Sequence, residues 1–171
     1  EAGPRGLPAK AMGVAAAAHL VAAIPDTLAV VRAGDAPLSR QLRDVGVRIV
    51  ECDGADAGMG ASLACGVAAA KDADGWIVAL ADMPWIAPAT IAGVAAALAR
   101  GADIAAPSYR GQRGHPVGFA RRHYASLAAS TGDAGARRLI ERDRHCVTLV
   151  DCDDPGILRD VDTPGQLQDR D

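Results

Sequence analysis

The sequence predicts an α/β fold of three layers, in which a mostly parallel sheet carries helices on both faces. Apolar runs of strand length alternate with Ala-rich helical segments, and parallel neighbouring strands need such crossover connections. Half of the residues are hydrophobic, but only two Trp, two Tyr and one Phe are aromatic, which favours closely packed layers of small side chains. No repeat, linker or low-complexity stretch divides the chain, so residues 1–171 are predicted to form one domain.

The predicted elements follow from apolar periodicity and from Pro and Gly at the boundaries. Strands are expected at residues 28–31, 47–52, 76–80, 117–119 and 147–150. A turn at 109–114 leads into the strand at 117–119 and predicts a hairpin-like excursion there. Helices are expected at residues 11–24, 38–45, 61–70, 88–100 and 121–129, from Asp133 onward, and after Pro164. Ligands of such a fold gather at the carboxyl ends of the strands.

Charge and composition exclude several classes of function. The net charge of −3 and the absence of a basic patch argue against a nucleic-acid partner. The longest apolar stretch, residues 11–24, is shorter than a membrane span and lacks the features of a secretion leader, so a cytoplasmic protein is expected. The four cysteines form no CxxC pair or zinc-like spacing, and reduced thiols are predicted.

Asp82 is the first candidate for chemistry. It follows the apolar run 76–80, so its carboxylate is expected at the ligand-binding edge of the sheet. Carboxylate oxygens together with nucleotide phosphates form a ligand set that suits Mg²⁺. An Asp before Met-Pro also fits a simple turn or helix cap, and position alone leaves both interpretations open.

Two further aspartates, Asp160 and Asp162, are two residues apart near the end of the sequence. In an extended segment, residues with this spacing face the same side, so both carboxylates could face one cleft. The alternative is that Asp162 or Thr163 caps a final helix with Pro164 in its first turn.

Three other features suit phosphate or substrate binding. The segment Gly58-Met59-Gly60-Ala61-Ser62 joins a strand to a helix, where backbone amides can approach an anion, although glycine there also serves turn geometry alone. Gly3, Arg5 and Lys10 combine flexible backbone with two cations, which suits a triphosphate but equally a frayed terminus. His115 stands at a turn and could donate to a substrate, although a surface or structural histidine is more common.

Taken together, five segments resemble the molybdenum-cofactor nucleotidyltransferases, and within them the cytidylyltransferase branch. Each motif is common, but their order along nearly the whole chain is specific. The five segments are residues 58–63 (GMGASL), 80–84 (LADMP), 111–117 (GQRGHPV), 132–137 (GDAGAR) and 160–164 (DVDTP).

The resemblance implies a Rossmann-like nucleotidyltransferase fold and transfer of a cytidylyl group from CTP to the terminal phosphate of molybdopterin. It implies that Asp82 holds Mg²⁺, with Asp160 as a second metal ligand, and that Lys10 acts in catalysis. The implied nucleotide-binding residues are Gly3, Arg5, Gly58, Met59, Gly60 and Ser62, and the implied substrate-binding residues are His115, Asp160 and Asp162. A molybdoenzyme or a maturation protein is the implied partner.

One departure from the family pattern lies at the start of the chain. Family members open with an apolar strand and a phosphate-binding loop, whereas this sequence begins Glu1-Ala2-Gly3, so the first strand and loop are expected to be incomplete. Two alternatives stay open: a transferase that uses GTP or a sugar phosphate, and a non-catalytic cofactor carrier with the same fold.

Overall fold

The structure is a computed structural model that describes residues 9–160, with side-chain surroundings from Met12 onward. The helices are α1 (Ala9–Ala23), α2 (Ala36–Asp44), α3 (Met59–Ala69), α4 (Pro88–Ala99), α5 (Tyr124–Ala128) and α6 (Arg137–Arg142). The strands are β1 (Leu28–Arg32), β2 (Arg48–Cys52), β3 (Gly75–Val78), β4 (Ile104–Tyr109), β5 (Gln112–Arg113), β6 (Val117–Ala120) and β7 (Val147–Asp151). A 3-10 turn, η4 (Pro155–Leu158), follows β7.

The strands form two sheets. β1 and β2 pair in parallel, and a larger sheet is built around β4, which pairs with β6 and β5 on one edge and with β7 on the other. β3 pairs with β6, and within residues 9–160 its other edge has no strand partner. The α/β class is therefore confirmed.

The sheet is mixed rather than mostly parallel. In the described residues two pairings are parallel, β1 with β2 and β4 with β7, whereas β6 runs antiparallel to both β3 and β4. The tight turn at Arg110 and Gly111 reverses the chain after β4, so β5 and then β6 return alongside it. A short connection of this kind produces antiparallel neighbours, because parallel strands need a long crossover.

The main core lies under β4 and β6. Ile104, Ala106 and Phe119 have no exposed surface, and Trp76 packs with them. Helix α4 lies so close to this sheet that a Cβ at Gly118 would stand 2.7 Å from the Leu98 side chain. Small residues thus allow the close helix-on-sheet packing that the composition predicts.

Three predicted boundaries differ from the structure. β3 ends at Val78, so Ala79 and Leu80 lie beyond it, and Asp82 stands in a turn rather than directly after the strand. The helix expected at residues 121–129 is a 3-10 turn followed by the short α5, and the helix expected from Asp133 begins at Arg137. Apolar runs indicate burial, but they do not fix where backbone pairing stops.

The prediction that all cysteines are reduced thiols is wrong for two of them. Cys52 at the end of β2 and Cys65 in α3 form a disulfide, with their Cα atoms 6.3 Å apart. The packing of α3 on β2 brings them together although their spacing matches no motif. Cys146 and Cys152 are free thiols.

Within residues 9–160, no helix is both long enough and apolar enough to cross a bilayer.

Candidate functional site

Asp82 lies on an exposed turn between β3 and α4. The two residues after it, Met83 and Pro84, are buried and anchor this turn to the core. On the other side, Ala81 faces α1, where a Cβ at Gly13 would stand 3.7 Å from the Ala81 methyl group. The turn is thus held from two sides while the Asp82 carboxylate faces solvent.

His115 lies in the turn between β5 and β6, half-buried and followed by a cis peptide bond to Pro116. Its backbone N–H donates to the carbonyl oxygen of Ile157 at 3.1 Å. Burial lowers the pKa of His115, Arg113 lowers it further, and the carboxylates of Asp82 and Asp160 oppose this shift. Both carboxylates therefore lie within electrostatic reach of the same imidazole.

Asp160 follows η4 and is exposed. The residue before it, Arg159, places its guanidinium group 4.9 Å from the centre of the Trp85 ring, which belongs to the Asp82 turn. The structure thus brings the segments of Asp82, His115 and Asp160 together. Asp162, the predicted second carboxylate of this motif, lies outside the described residues.

The glycine-rich segment adopts the predicted loop-to-helix geometry. Gly58 has a φ of +112°, which favours glycine, and α3 begins at Met59. The Gly60 amide donates to the Gly132 carbonyl oxygen at 2.7 Å, so a neighbouring loop already uses this donor. Met59 is half exposed at 50%, whereas Ser62 is half-buried.

Gly60 also has a packing role that the sequence did not indicate. A Cβ at Gly60 would stand 2.6 Å from the backbone carbonyl group of Thr131. The first turn of α3 therefore packs directly on the backbone of the loop after α5. These neighbours differ from those of Asp82, so Gly58 to Ser62 form a separate part of the candidate site.

Of the basic residues expected to hold phosphates, Lys10 lies in the first turn of α1. It precedes Gly13 by three residues, about one helical turn, and Gly13 faces Ala81 beside Asp82. The backbone thus places Lys10 near the end of the helix that approaches the Asp82 turn. Gly3 and Arg5 lie outside the described residues.

Sequence reasoning missed His19, which lies in the middle of α1. Its Nδ1 atom is 2.9 Å from the carbonyl oxygen of Ile86, so α1 is linked to the segment that follows Asp82. A histidine within an Ala-rich helix is the sequence feature that could have indicated this role, because a buried imidazole usually has a hydrogen-bond partner.

The carboxylate oxygens of Asp82 and Asp160 are of the kind that a hard divalent cation prefers, and such a cation would share its coordination with a bound ligand. Among the side chains of residues 12–160, no three His, Cys, Asp or Glu groups are close enough to enclose a metal by themselves. Two carboxylates beside an open surface leave most coordination positions to phosphate oxygens and water, which is how Mg²⁺ is usually bound in nucleotide sites. Asp82 and Asp160 fit that requirement.

A mixed α/β sheet with carboxylates on the loops after its strands is typical of a domain that binds a ligand at that edge of the sheet. The family comparison agrees: residues 7–147 match the family described as "MobA-like NTP transferase domain". The match covers most of the chain, so the protein belongs to this family of nucleotidyltransferases.

Two curated relatives are similar in sequence. The chain is 33% identical over 128 residues to nicotine blue oxidoreductase from Paenarthrobacter nicotinovorans, which covers 70% of this chain and 62% of that protein. It is 30% identical over 116 residues to the purine catabolism protein PucB from Bacillus subtilis, which covers 66% of this chain and 56% of that protein. The chain thus spans about three fifths of the length of these relatives.

A solved structure shares the fold. The manganese complex of Rv0371C from Mycobacterium tuberculosis H37Rv matches with a TM-score of 0.72 at 22% identity, over 87% of this chain and 83% of that one. At this identity the likeness shows the fold alone.

Proposed function

We propose that this protein is a divalent-metal-dependent transferase that moves the cytidylyl group of CTP to the terminal phosphate of a molybdopterin-like acceptor and releases pyrophosphate. The observation that carries this proposal is that the segments of Asp82, His115 and Asp160 lie together at one edge of a nucleotidyltransferase fold, where the His115 N–H donates to Ile157 and the Arg159 guanidinium packs on the Trp85 ring. Magnesium is the expected metal, and the manganese complex of Rv0371C supports a divalent ion in this fold. The cytoplasmic setting belongs to the same proposal.

In this reaction an acceptor phosphate oxygen attacks the α-phosphorus of the nucleotide. The bond from that phosphorus to the bridging oxygen breaks, and the electron pair leaves with pyrophosphate. Such a transfer needs positioning and neutralisation of charge rather than a protein nucleophile. A bound metal supplies that neutralisation, and Asp82 and Asp160 would hold it.

The remaining residues divide between the two substrates. Lys10, Gly3 and Arg5 would contact the triphosphate, while Gly58 to Ser62, with Met59 exposed, would face the base. The imidazole of His115 would donate to the acceptor phosphate, and Asp160 and Asp162 would bind the same substrate. A few contacts decide which base and which acceptor such an enzyme uses, so the main alternative is a transferase that uses GTP or a sugar phosphate. The other alternative is a non-catalytic cofactor carrier with the same fold.

A second candidate is an oxidoreductase, favoured by the similarity to nicotine blue oxidoreductase. In that case the nucleotide site would hold a redox cofactor instead of a triphosphate. Protein-dependent transfer of a hydride from a reduced nicotinamide nucleotide to an added dye that is thereby reduced, without pyrophosphate release from any nucleoside triphosphate, would favour this candidate.

The direct test replaces the proposed metal ligand by Asp82→Asn and measures pyrophosphate release with CTP, GTP and ATP in the presence of molybdopterin. We expect preference for CTP and a fall in turnover of at least about 100-fold in the variant, because charge stabilisation of the transition state is lost. Folding should be intact because Asp82 is exposed.

The matched control is Asp72→Asn, which removes an exposed carboxylate before β3, at the opposite end of that strand. It should leave turnover unchanged. An Asp82→Asn variant that is as active as the control would overturn the metal role, and equal turnover of all three nucleotides would remove the assignment to CTP.

A further inference from the structure

Asp154 makes three hydrogen bonds through one carboxylate. Its Oδ2 atom accepts from the Ala87 backbone N–H at 2.9 Å and from the Thr90 hydroxyl group at 2.7 Å. Its Oδ1 atom accepts from the Gly156 backbone N–H at 2.9 Å. The two oxygens therefore bind two segments that are more than 60 residues apart in sequence.

These two segments carry the proposed metal ligands. Ala87 and Thr90 lie at the beginning of α4, where the turn that bears Asp82 ends. Gly156 lies in η4, and Asp160 follows that turn after one residue, Arg159. The Asp154 carboxylate thus links the end of one ligand-bearing loop to the start of the other.

Packing around this link is close. A Cβ at Gly156 would stand 2.7 Å from the Trp85 carbonyl carbon, so the two backbones are nearly in contact. Ile157 is fully buried in one cluster with Met83 and Ile86. Ala87, the residue before α4, offers no side-chain oxygen as a cap, and its own backbone N–H, which the acidic residue of a capping box would accept, is accepted here by Asp154.

We propose that Asp154 is a positioning residue that fixes the separation of the Asp82 and Asp160 carboxylates and thereby the affinity for the metal–nucleotide complex. The inference rests on the proposed function, because it needs both aspartates to share a metal. An ordinary capping role would stabilise α4 and leave metal affinity unchanged, which makes the two roles separable by experiment.

The test compares Asp154→Asn with Thr90→Val. An amide offers only one acceptor oxygen, so Asp154→Asn keeps either the α4 side or the Gly156 side of the link and breaks the other. Thr90→Val removes one hydrogen bond of the same carboxylate but keeps Ala87 and Gly156 connected. Each variant should lose stability of similar size, because each loses buried hydrogen bonding.

The readout is the Kd for Mn²⁺ in the presence of a non-hydrolysable CTP analogue, measured by electron paramagnetic resonance well below the unfolding temperature. We expect Asp154→Asn to raise the Kd at least about tenfold, as the loss of groups that orient metal ligands usually does. Thr90→Val should change it less than about twofold. Should Asp154→Asn fail to fold, Asp154→Ser retains a short acceptor for Gly156 and cannot span both segments.

Wild-type affinity in Asp154→Asn, or equal weakening in both variants, would overturn the positioning role and leave the proposed function standing. Failure of the proposed function looks different: the wild-type protein would then bind Mn²⁺ no better than Asp82→Asn.

Discussion

Gly60→Ala tests whether the glycine-rich loop is shaped by protein packing. In a helix this exchange normally stabilises a protein by about 0.5–1 kcal/mol, because glycine loses more backbone entropy on folding. Here the new Cβ would stand 2.6–2.7 Å from the backbone N, C and O atoms of Thr131. Backbone atoms cannot move aside as the end of a side chain can, so the loop after α5 must shift.

The expected size follows from three contributions. Overpacking costs about 1–3 kcal/mol, and weakening the bond from the Gly60 amide to Gly132 costs up to about 1 kcal/mol more. After subtraction of the helical gain, the free energy of unfolding should fall by about 2 kcal/mol, within a range of about 0–3.5 kcal/mol. For a chain of this size a loss of about 2 kcal/mol lowers Tm by about 4–8 °C.

Thermal unfolding followed by circular dichroism measures this effect, and Gly93→Ala is the matched control. Gly93 also lies in a helix, α4, but its Cβ would meet only the Val150 side chain at an ordinary 3.5 Å. The control should therefore raise Tm by about 1–4 °C. A rise in Tm for both variants would refute the packing argument and leave ligand approach as the reason for glycine at position 60.

Two further predictions concern stability. Ser39 is buried in α2, and within the part of the chain that the structure describes its hydroxyl group has no hydrogen-bond partner. Ser39→Ala should therefore increase the free energy of unfolding by up to about 1 kcal/mol and raise the urea midpoint, and a lower midpoint would contradict the unpaired hydroxyl group. Burial opposes ionisation of Asp103, but hydrogen bonds from Arg122 and His123 outweigh it and lower the pKa of this carboxyl. A lowered pKa gives stability that is complete above the unfolded value of about 3.8 and is lost as pH falls below it. Asp103→Asn should therefore flatten the decline of urea stability below about pH 3.8, and an unchanged slope would contradict the pairing.

Most of the elements could be predicted because their causes are local. Pro88 in the first turn of α4 and the glycines after α2 and α4 mark boundaries whatever the neighbours are. The antiparallel direction of β6 also has a local cause, the turn at Arg110 and Gly111 that reverses the chain after β4, and the predicted hairpin-like excursion agrees with it. The apolar runs do not indicate which strands lie side by side: β6 pairs with β3 as well as with β4, so the sheet is mixed although a mostly parallel sheet is predicted.

The residues of the candidate site also divide into those that the local sequence indicates and those that depend on distant neighbours. Asp82, His115 and Asp160 could be singled out because polar residues at turns beside apolar runs are conspicuous in a sequence. Asp154 and His19 could not, because their partners are Ala87, Thr90 and Ile86, 64 to 67 residues away. The side chains that orient a site are thus harder to find than those that face the ligand.

The position of these hidden partners bears on how the site works. The segment after Asp82 is held by α1 through His19, by η4 through Asp154, and by the burial of Met83 and Ile86. In the proposed function, a segment fixed from three sides would have little conformational freedom to lose when a metal and a nucleoside triphosphate bind. Because the segment is already ordered on folding, the free energy of binding would be left to orient the reacting phosphates. The exposed carboxylate of Asp82 therefore stands next to a segment that buried contacts and hydrogen bonds hold in place.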